Sequence, residues 1–337
     1  MRTWILEKPA PIEKRPLKLV QRPVPDPARG EVRIKVLVCA MCRTDLHTVE
    51  GDIPHPRLPI TPGHQVVGII DRLGEGVTGP AVGARVGVPW LASTCGTCSY
   101  CAGGRENLCD NGKFTGQHVD GGYAEYMIAR ADFVYPIPEG FDEIHAAPLL
   151  CSGVIGYRAY RLADLPPGGR LGLYGFGSSA HVTIQVARYL GHECYVITRG
   201  QAGQEHARRL GAVWAGGSDD TPPDKLDSVI IFAPAGELIP RALTHLRKGG
   251  VVTCAGIHIS PIPEFPYEIL WGERVIRSVA NSTREDVRQL LHLASDMNLQ
   301  PDVVLFDFEH LNDHLLALKR GEFVGSGVIR MVHRSDP

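Results

Sequence analysis

Four cysteines at Cys95, Cys98, Cys101 and Cys109 crowd four soft donors onto one short loop. Zinc takes four thiolates in a closed tetrahedral site, and spacings this tight let a single loop wrap the ion. Gly96, Gly103 and Gly104 are expected to supply the turns that such wrapping needs. A saturated four-thiolate site has no open position, so it supports structure and leaves the chemistry elsewhere. A nucleic-acid-binding zinc ribbon uses similar spacing, but Tyr100, Glu106 and Asp110 stand where it would need a basic face. The whole chain carries 35 Lys+Arg against 37 Asp+Glu, a net charge of −2, which advertises neither nucleic acid nor an anionic membrane.

The 337 residues exceed what one hydrophobic core usually serves, so two domains are expected. A content of 44% hydrophobic and 21% charged residues is ordinary for a soluble globular protein. The opening MRTWILEKPAP lacks the apolar core of a signal peptide, and no later stretch reaches the ~18 apolar residues needed to span a bilayer. A cytoplasmic protein without a membrane partner is the expectation. Nine cysteines are many for a reducing compartment, where clustered Cys usually means metal or catalysis. Cys39, Cys194 and Cys254 lie inside apolar runs and read as core, because a free Cys packs as a small hydrophobe.

The pattern changes near residue 146. Before it, apolar runs at 4–6, 32–38, 66–70, 86–88 and 123–128 are broken by Gly and Pro, as in an all-β, barrel-like domain. Residues 146–165 read as helix until Pro166-Pro167-Gly168-Gly169 stops it. Beyond that point, strands at 171–174, 194–197, 229–232, 251–255 and 275–279 alternate with helices at 180–190, 204–210, 238–246 and 284–294. Such alternation builds parallel β-α-β units, so the fold class is α/β: a doubly wound parallel sheet beside a mainly-β domain. A strand at 303–308, a helix at 311–319 and a strand at 328–332 are expected to return to the first domain. The expected division is therefore 1–152, 153–297 and 298–337, with the cysteine lobe at 91–112.

In the second region, Tyr174-Gly175-Phe176-Gly177-Ser178-Ser179-Ala180 sets G-x-G-x-x-A between a strand and a helix. Its glycines permit a tight turn and close approach of backbone to a pyrophosphate, which then sits on the helix N-terminus. The bare motif is weak; the strand–turn–helix setting and the β-α units that follow make it a dinucleotide site. In the first region, Cys42-Arg43-Thr44-Asp45-Leu46-His47 and Gly63-His64 offer further metal-type ligands. A catalytic zinc needs three protein ligands and one open position, often drawn from distant segments. Two other readings stand beside it: a packed His64, or a Cys39-x2-Cys42 redox pair lacking thioredoxin-like surroundings.

Together with the stretch from Gly63-His64 through Gly68 to Gly74 and Val77, these motifs resemble the zinc-containing alcohol dehydrogenases of the medium-chain dehydrogenase/reductase family, along essentially the whole chain. The resemblance implies a GroES-like barrel as catalytic domain and a Rossmann fold for the dinucleotide. It implies two zinc ions per subunit: a catalytic one on Cys42, His64 and Cys151, and a structural one on Cys95, Cys98, Cys101 and Cys109. Asp45 becomes the partner that orients His64, since a ligand imidazole usually hands its other N–H to an acceptor. Arg43, beside the ligand Cys42, resembles the family's pyrophosphate contact, and Gly175, Gly177, Ser178 and Ser179 are the further cofactor-binding positions of the glycine turn. Trp90 and Leu58 resemble walls of the substrate pocket, although each reads equally well as core.

The implied reaction moves hydride between an alcohol or aldehyde and NADP(H) or NAD(H). Zinc acidifies the alcohol, and Thr44, the cofactor ribose and His47 pass the proton outward, an imidazole being suited to relays near neutrality. Relatives commonly pair their nucleotide-binding sheets edge to edge, which implies a homodimer or homotetramer. The chain departs from the family pattern at two places: Gln65 stands where Glu is usual, and Gly325-Ser326-Gly327 where many relatives carry a basic phosphate contact. After the second Rossmann strand the chain reads Thr198-Arg199-Gly200 with no carboxylate, which favours NADP(H) over NAD(H). The competing readings are a zinc-free quinone or enone reductase of the same fold, and a non-enzymatic dinucleotide-binding zinc protein.

Overall fold

Alternation along Glu31-Val32-Arg33-Ile34-Lys35-Val36 buries Val32, Ile34 and Val36 completely, the period of a half-buried strand. In the computed structural model, which describes residues 1–53 and 57–331, that strand, Glu31–Ala40, is the hub of a seven-stranded sheet. It pairs antiparallel with Val66–Leu73, with Tyr126–Arg130 along its first half, and with Ser326–Arg330 at its end. Arg85–Val88 and Tyr135–Pro136 extend one side, and Val303–Asp307 lies outside Ser326–Arg330. Gly68 sits where two strands approach closely: a Cβ there would come 2.4 Å from the carbonyl oxygen of Lys35. Apolar side chains from these strands, with Leu311 and Leu315 of the helix Leu311–Arg320, form one core. This unit comprises Met1–Cys151, Asn281–Asp296 and Gln300–Pro337. The last strand ends at Arg330, and residue 332 of the expected strand lies outside the described residues.

The second unit, Ser152–Ala280 with Met297–Leu299, is a six-stranded parallel sheet. Its strands lie in the order Trp214–Gly216, Glu193–Ile197, Arg170–Tyr174, Leu226–Ile231, Leu246–Cys254, Val275–Ser278. In chain order this is 3-2-1-4-5-6, the doubly wound arrangement, whose order reverses beside the first strand. Leu171 and Leu173 of that strand join one apolar cluster while Tyr174 joins another, so alternate residues serve the two faces. The three-residue strand Trp214–Gly216 escaped the sequence reading because it is too short to show periodicity.

The helix expected over 146–165 is broken. Glu143–Ala146 is α-helical, Ala147–Leu150 tightens to 3-10 geometry, and Cys151 leaves helical space at φ −136° before Ser152–Leu162 resumes. Pro148 lacks the amide that an α-helix would use at this point. The helix Arg284–Asp296 was expected with the parallel sheet, but it groups with the first unit. There Arg284 donates to Glu106 and lies over the Phe133 ring, and Arg288 lies over Tyr135.

Candidate metal centre and nucleotide site

The helix Arg43–Glu50 begins with a capping box: the Cys42 sulfur accepts from the Thr44 amide at 3.3 Å, and Asp45 Oδ2 accepts from the Cys42 amide at 2.9 Å. The other oxygen of Asp45 lies 2.9 Å from Nδ1 of His64, and both side chains are buried. That contact turns Nε2 of His64 toward Cys42 Sγ, 3.3 Å away, while Cys151 Sγ lies 3.9 Å from Cys42 Sγ. A tetrahedral zinc with bonds of about 2.3 Å to sulfur and about 2.0 Å to nitrogen sets thiolates about 3.8 Å apart and thiolate from imidazole about 3.5 Å apart. Both separations from Cys42 therefore match edges of a coordination tetrahedron, and all three donors lie within 4.8 Å of one another. Hydrogen bonding with Cys151, then the nearby His64, holds the Cys42 thiol well below its ordinary pKa despite burial, as does its place at a helix N-terminus.

Behind this set, Gly63 has φ +96°, and a Cβ there would meet the Tyr123 amide at 2.9 Å and Cys39 Sγ at 3.0 Å. Cys39, like Cys194 and Cys254, is buried as expected of a core residue. Trp90 stands with its ring 6.2 Å from that of His64 and stacks on Phe114 at 4.5 Å. Phe114 was not anticipated; nothing in the sequence pairs it with Trp90. Leu58 is 40% exposed beside its cis bond to Pro59, so it is not core. Gln65 is buried and its Nε2 has no hydrogen-bond partner. Arg43 is exposed and donates to the Lys319 carbonyl at 3.4 Å. Thr44 is buried, while His47, in the same helix, is part-exposed and meets Asp52 Oδ2 at 2.8 Å through Nδ1. Asp52 also went unread, because a carboxylate five residues on gives no pattern.

The four lobe cysteines gather as well. Cys95 and Cys101 sulfurs are 3.8 Å apart, Cys98 and Cys101 are 3.5 Å apart, and all four donors lie within 4.8 Å of one another. Backbone amides feed the sulfurs: Cys98 N donates to Cys95, Cys101 N to Cys98, and Cys95 N to Cys109. Amides of Thr97 and Cys98 pull the Cys95 thiol down to about 6. Gly96 and Gly104 take positive φ of +74° and +66°, whereas Gly103 is an ordinary residue at −89°. Glu106, expected on the surface, is 6% exposed and accepts from the amide and Nε of Arg284.

In the second unit, Gly175 turns at φ +88°, where a Cβ would strike the Ala233 amide at 2.7 Å. Gly177 caps the helix Ser178–Tyr189 and has open space where a Cβ would be. Ser178 donates to Ser152 at 2.9 Å, and the Ser179 carbonyl accepts from Thr183 at 2.7 Å. Thr198 follows the strand Glu193–Ile197, its amide bonded to the Gly216 carbonyl, and Arg199 beside it is exposed. In the first unit, Gly325 has φ +93° and a Cβ there would lie 2.4 Å from the Asp302 carbonyl; one at Gly327 would lie 2.5 Å from Met41 Cε. Backbone packing and the positive φ thus exclude a side chain at Gly325, whereas at Gly327 the neighbour is the flexible tip of Met41.

Residues 28–139 match the alcohol dehydrogenase GroES-like domain family. The chain is 43% identical over 335 residues to a probable alcohol dehydrogenase, AdhA, of Mycobacterium tuberculosis, covering 98% of this chain and 97% of that one. Among solved structures it superposes on a cinnamyl alcohol dehydrogenase of Sorghum bicolor with TM-score 0.88 at 27% identity, covering 98% and 97% of the two chains. It superposes on a cobalt- and zinc-bound thermostable alcohol dehydrogenase of Pyrobaculum aerophilum with TM-score 0.89 at 26% identity, covering 98% and 99%. With this likeness spanning both units, the chain belongs to the alcohol dehydrogenase family, in its zinc-containing, medium-chain branch.

Proposed function

We propose that this protein is a zinc-dependent alcohol dehydrogenase exchanging hydride between an alcohol or aldehyde and a nicotinamide dinucleotide, with NADP(H) preferred. The observation that carries the reading is the donor set Cys42, His64 and Cys151, held at 3.3 and 3.9 Å with Asp45 behind the imidazole. These three would hold the reactive zinc, and Cys95, Cys98, Cys101 and Cys109 a second, structural one. Bound zinc would supply Lewis acidity to a hydroxyl or carbonyl oxygen, and a bound nicotinamide the hydride acceptor. Two intact donor sets disfavour the zinc-free reductase reading.

The chain's own groups do the rest. Asp45 fixes the His64 tautomer, so that Nε2 presents its lone pair. Thr44 would accept the alcohol proton at its hydroxyl oxygen while releasing its own hydroxyl proton toward His47, which lies nearer solvent with Asp52 holding Nδ1. The open turn at Gly177 and the amides of Ser178 and Ser179 would cradle a pyrophosphate. Thr198 and the exposed Arg199 would read a ribose 2′-phosphate. The decisive experiment is a panel of alcohols and aldehydes with NADPH and NADH, followed by nicotinamide absorbance, on protein of measured zinc content. No turnover with any member, or fewer than two zinc ions per chain, defeats the reading.

The proposed assembly is a homodimer or homotetramer joined through the parallel sheet. Its edge strand Val275–Ser278 follows exposed Tyr267 and Trp271 in the chain, and Val275 is itself exposed. Light scattering that finds a monomer would reject that assembly. Among the described residues no helix is long and apolar enough to cross a membrane. Nine free cysteines fit the reducing cytoplasm as the proposed compartment.

A further inference from the structure

A third group of metal-type donors lies in the first unit, apart from both cysteine sets. Asp307 ends the strand Val303–Asp307, His310 caps the helix Leu311–Arg320, and His314 follows one turn later. Positions 310 and 314 share one face of the helix. Asp307 Oδ1 is 2.8 Å from His310 Nδ1, and Oδ2 is 3.5 Å from His314 Nε2. One donor atom from each of the three residues lies within 4.8 Å of the others.

Capping explains part of this arrangement. Asp307 Oδ1 accepts the His310 amide at 3.0 Å and its imidazole at 2.8 Å, an ordinary turn-closing pattern. It does not explain His314. That ring is packed against Phe306 at 4.6 Å, and its Nε2 is buried with no hydrogen-bond partner. At 3.5 Å from a carboxylate oxygen it is too far for a normal N–H···O bond, which runs to about 3.2 Å. It is the right distance for two ligands of one ion, since bonds of about 2.0 Å in a tetrahedron separate N and O by about 3.3 Å.

We propose that Asp307, His310 and His314 bind one divalent transition-metal ion, with water completing the coordination. Two imidazoles and one carboxylate select zinc, nickel or copper over calcium and magnesium, which favour all-oxygen sites. His310 is 62% and Asp307 49% exposed, so the remaining positions open to solvent. The ion ties the end of the strand to the first turn of the helix. It is a fastening for the C-terminal segment, not a reaction centre.

The test compares wild type with the H310A/H314Q double variant in full-length protein, so the difference counts this cluster however many ions the cysteines hold. Calorimetric titration with Ni2+ and metal analysis after gel filtration should find one more ion per chain in the wild type. Bound Cu2+ should show superhyperfine coupling to two nitrogens in the wild type, lost in the variant. Ni2+ should raise the melting temperature of the wild type and leave that of the variant unchanged. Circular dichroism and alcohol turnover, alike in both proteins, confirm that the variant is folded. H310A alone, at an exposed position, should lose the ion without touching the packed ring. Equal metal content in wild type and both variants, or Cu2+ with no nitrogen coupling, overturns the proposal.

Discussion

The two cysteine-bearing donor sets of the first unit are built in opposite ways. The lobe draws all its donors from residues 95–109, near the surface, with backbone amides as the supporting layer. The other draws on position 42 at the start of the helix Arg43–Glu50, position 64 just before the strand Val66–Leu73 and position 151 at the helix break, and its support is the buried carboxylate of Asp45. A local loop can close around an ion by itself; a dispersed set exists only after the domain has folded. On the proposed reading, the first arrangement contributes to folding and the second is held ready by a fold that does not depend on it. That readiness is what a reactive site needs, because its donors must keep their geometry while one position stays open.

The sharpest way to break this contrast is to remove one thiol from each set. Cys42→Ala should cost several kcal/mol of transition-state stabilisation, about 10³-fold or more in kcat/KM. Its melting curve should stay near that of the wild type, and zinc content should fall by one ion. Cys98→Ala should do the reverse: a melting temperature lower by several °C, because structural zinc contributes directly to folding, with turnover per folded molecule largely kept. Equal loss of activity in both, or an unchanged melting curve for Cys98→Ala, would erase the distinction.

A second contrast separates the nucleotide turn, whose backbone serves either dinucleotide, from Arg199, which is asked to read one phosphate. A charge-assisted pair contributes roughly 1.5–3 kcal/mol, or about 10- to 150-fold in affinity. Arg199→Ala should weaken NADPH by that factor in a fluorescence titration and leave NADH nearly untouched. Equal losses for both cofactors would place Arg199 outside the recognition of the 2′-phosphate.

Asp45 tests the dispersed site from behind. Its two oxygens do different work, one on the Cys42 amide and one on His64. An Asn side chain has a single acceptor oxygen and must abandon one of them. Asp45→Asn should lower zinc affinity or activity about 10- to 100-fold, the usual cost of losing an imidazole's supporting partner. Competition with a zinc chelator reads the affinity directly, and a wild-type value would show that the contact merely packs.

How much of this was visible in the chain follows from the same distinction. The lobe and the G-x-G-x-x-A turn are contiguous, so spacing alone exposes them, and alternating strands and helices carried the parallel sheet. The Cys42, His64 and Cys151 grouping needed the family resemblance, since no local pattern ties Cys151 to Cys42 across 109 positions. What stayed hidden was tertiary. The helix break at Cys151 answers to Pro148 and to where the thiol must go. Glu106 looked like a surface acid and is a buried acceptor for Arg284. Gly325 looked like part of a missing phosphate contact, and it is a glycine because the Asp302 backbone leaves no room for a Cβ.

The smallest predicted effect lies at His47, part-exposed at the edge of the dispersed site. Its proposed task is to accept the proton released when alcohol becomes alkoxide. Below about pH 7 solvent hydroxide is too scarce to replace it, so His47→Gln should slow alcohol oxidation about tenfold there and hardly at all near pH 9. A small amine buffer should restore part of the low-pH rate, because it supplies a mobile base where the imidazole stood. Asp52 enters through Nδ1, 2.8 Å away, where its carboxylate fixes the ring. Asp52→Asn should therefore loosen the ring and slow low-pH alcohol oxidation by less than His47→Gln does, while leaving zinc content unchanged. If the His47→Gln profile overlays the wild type across this range, His47 is a solvated helix residue and the proton leaves by another path.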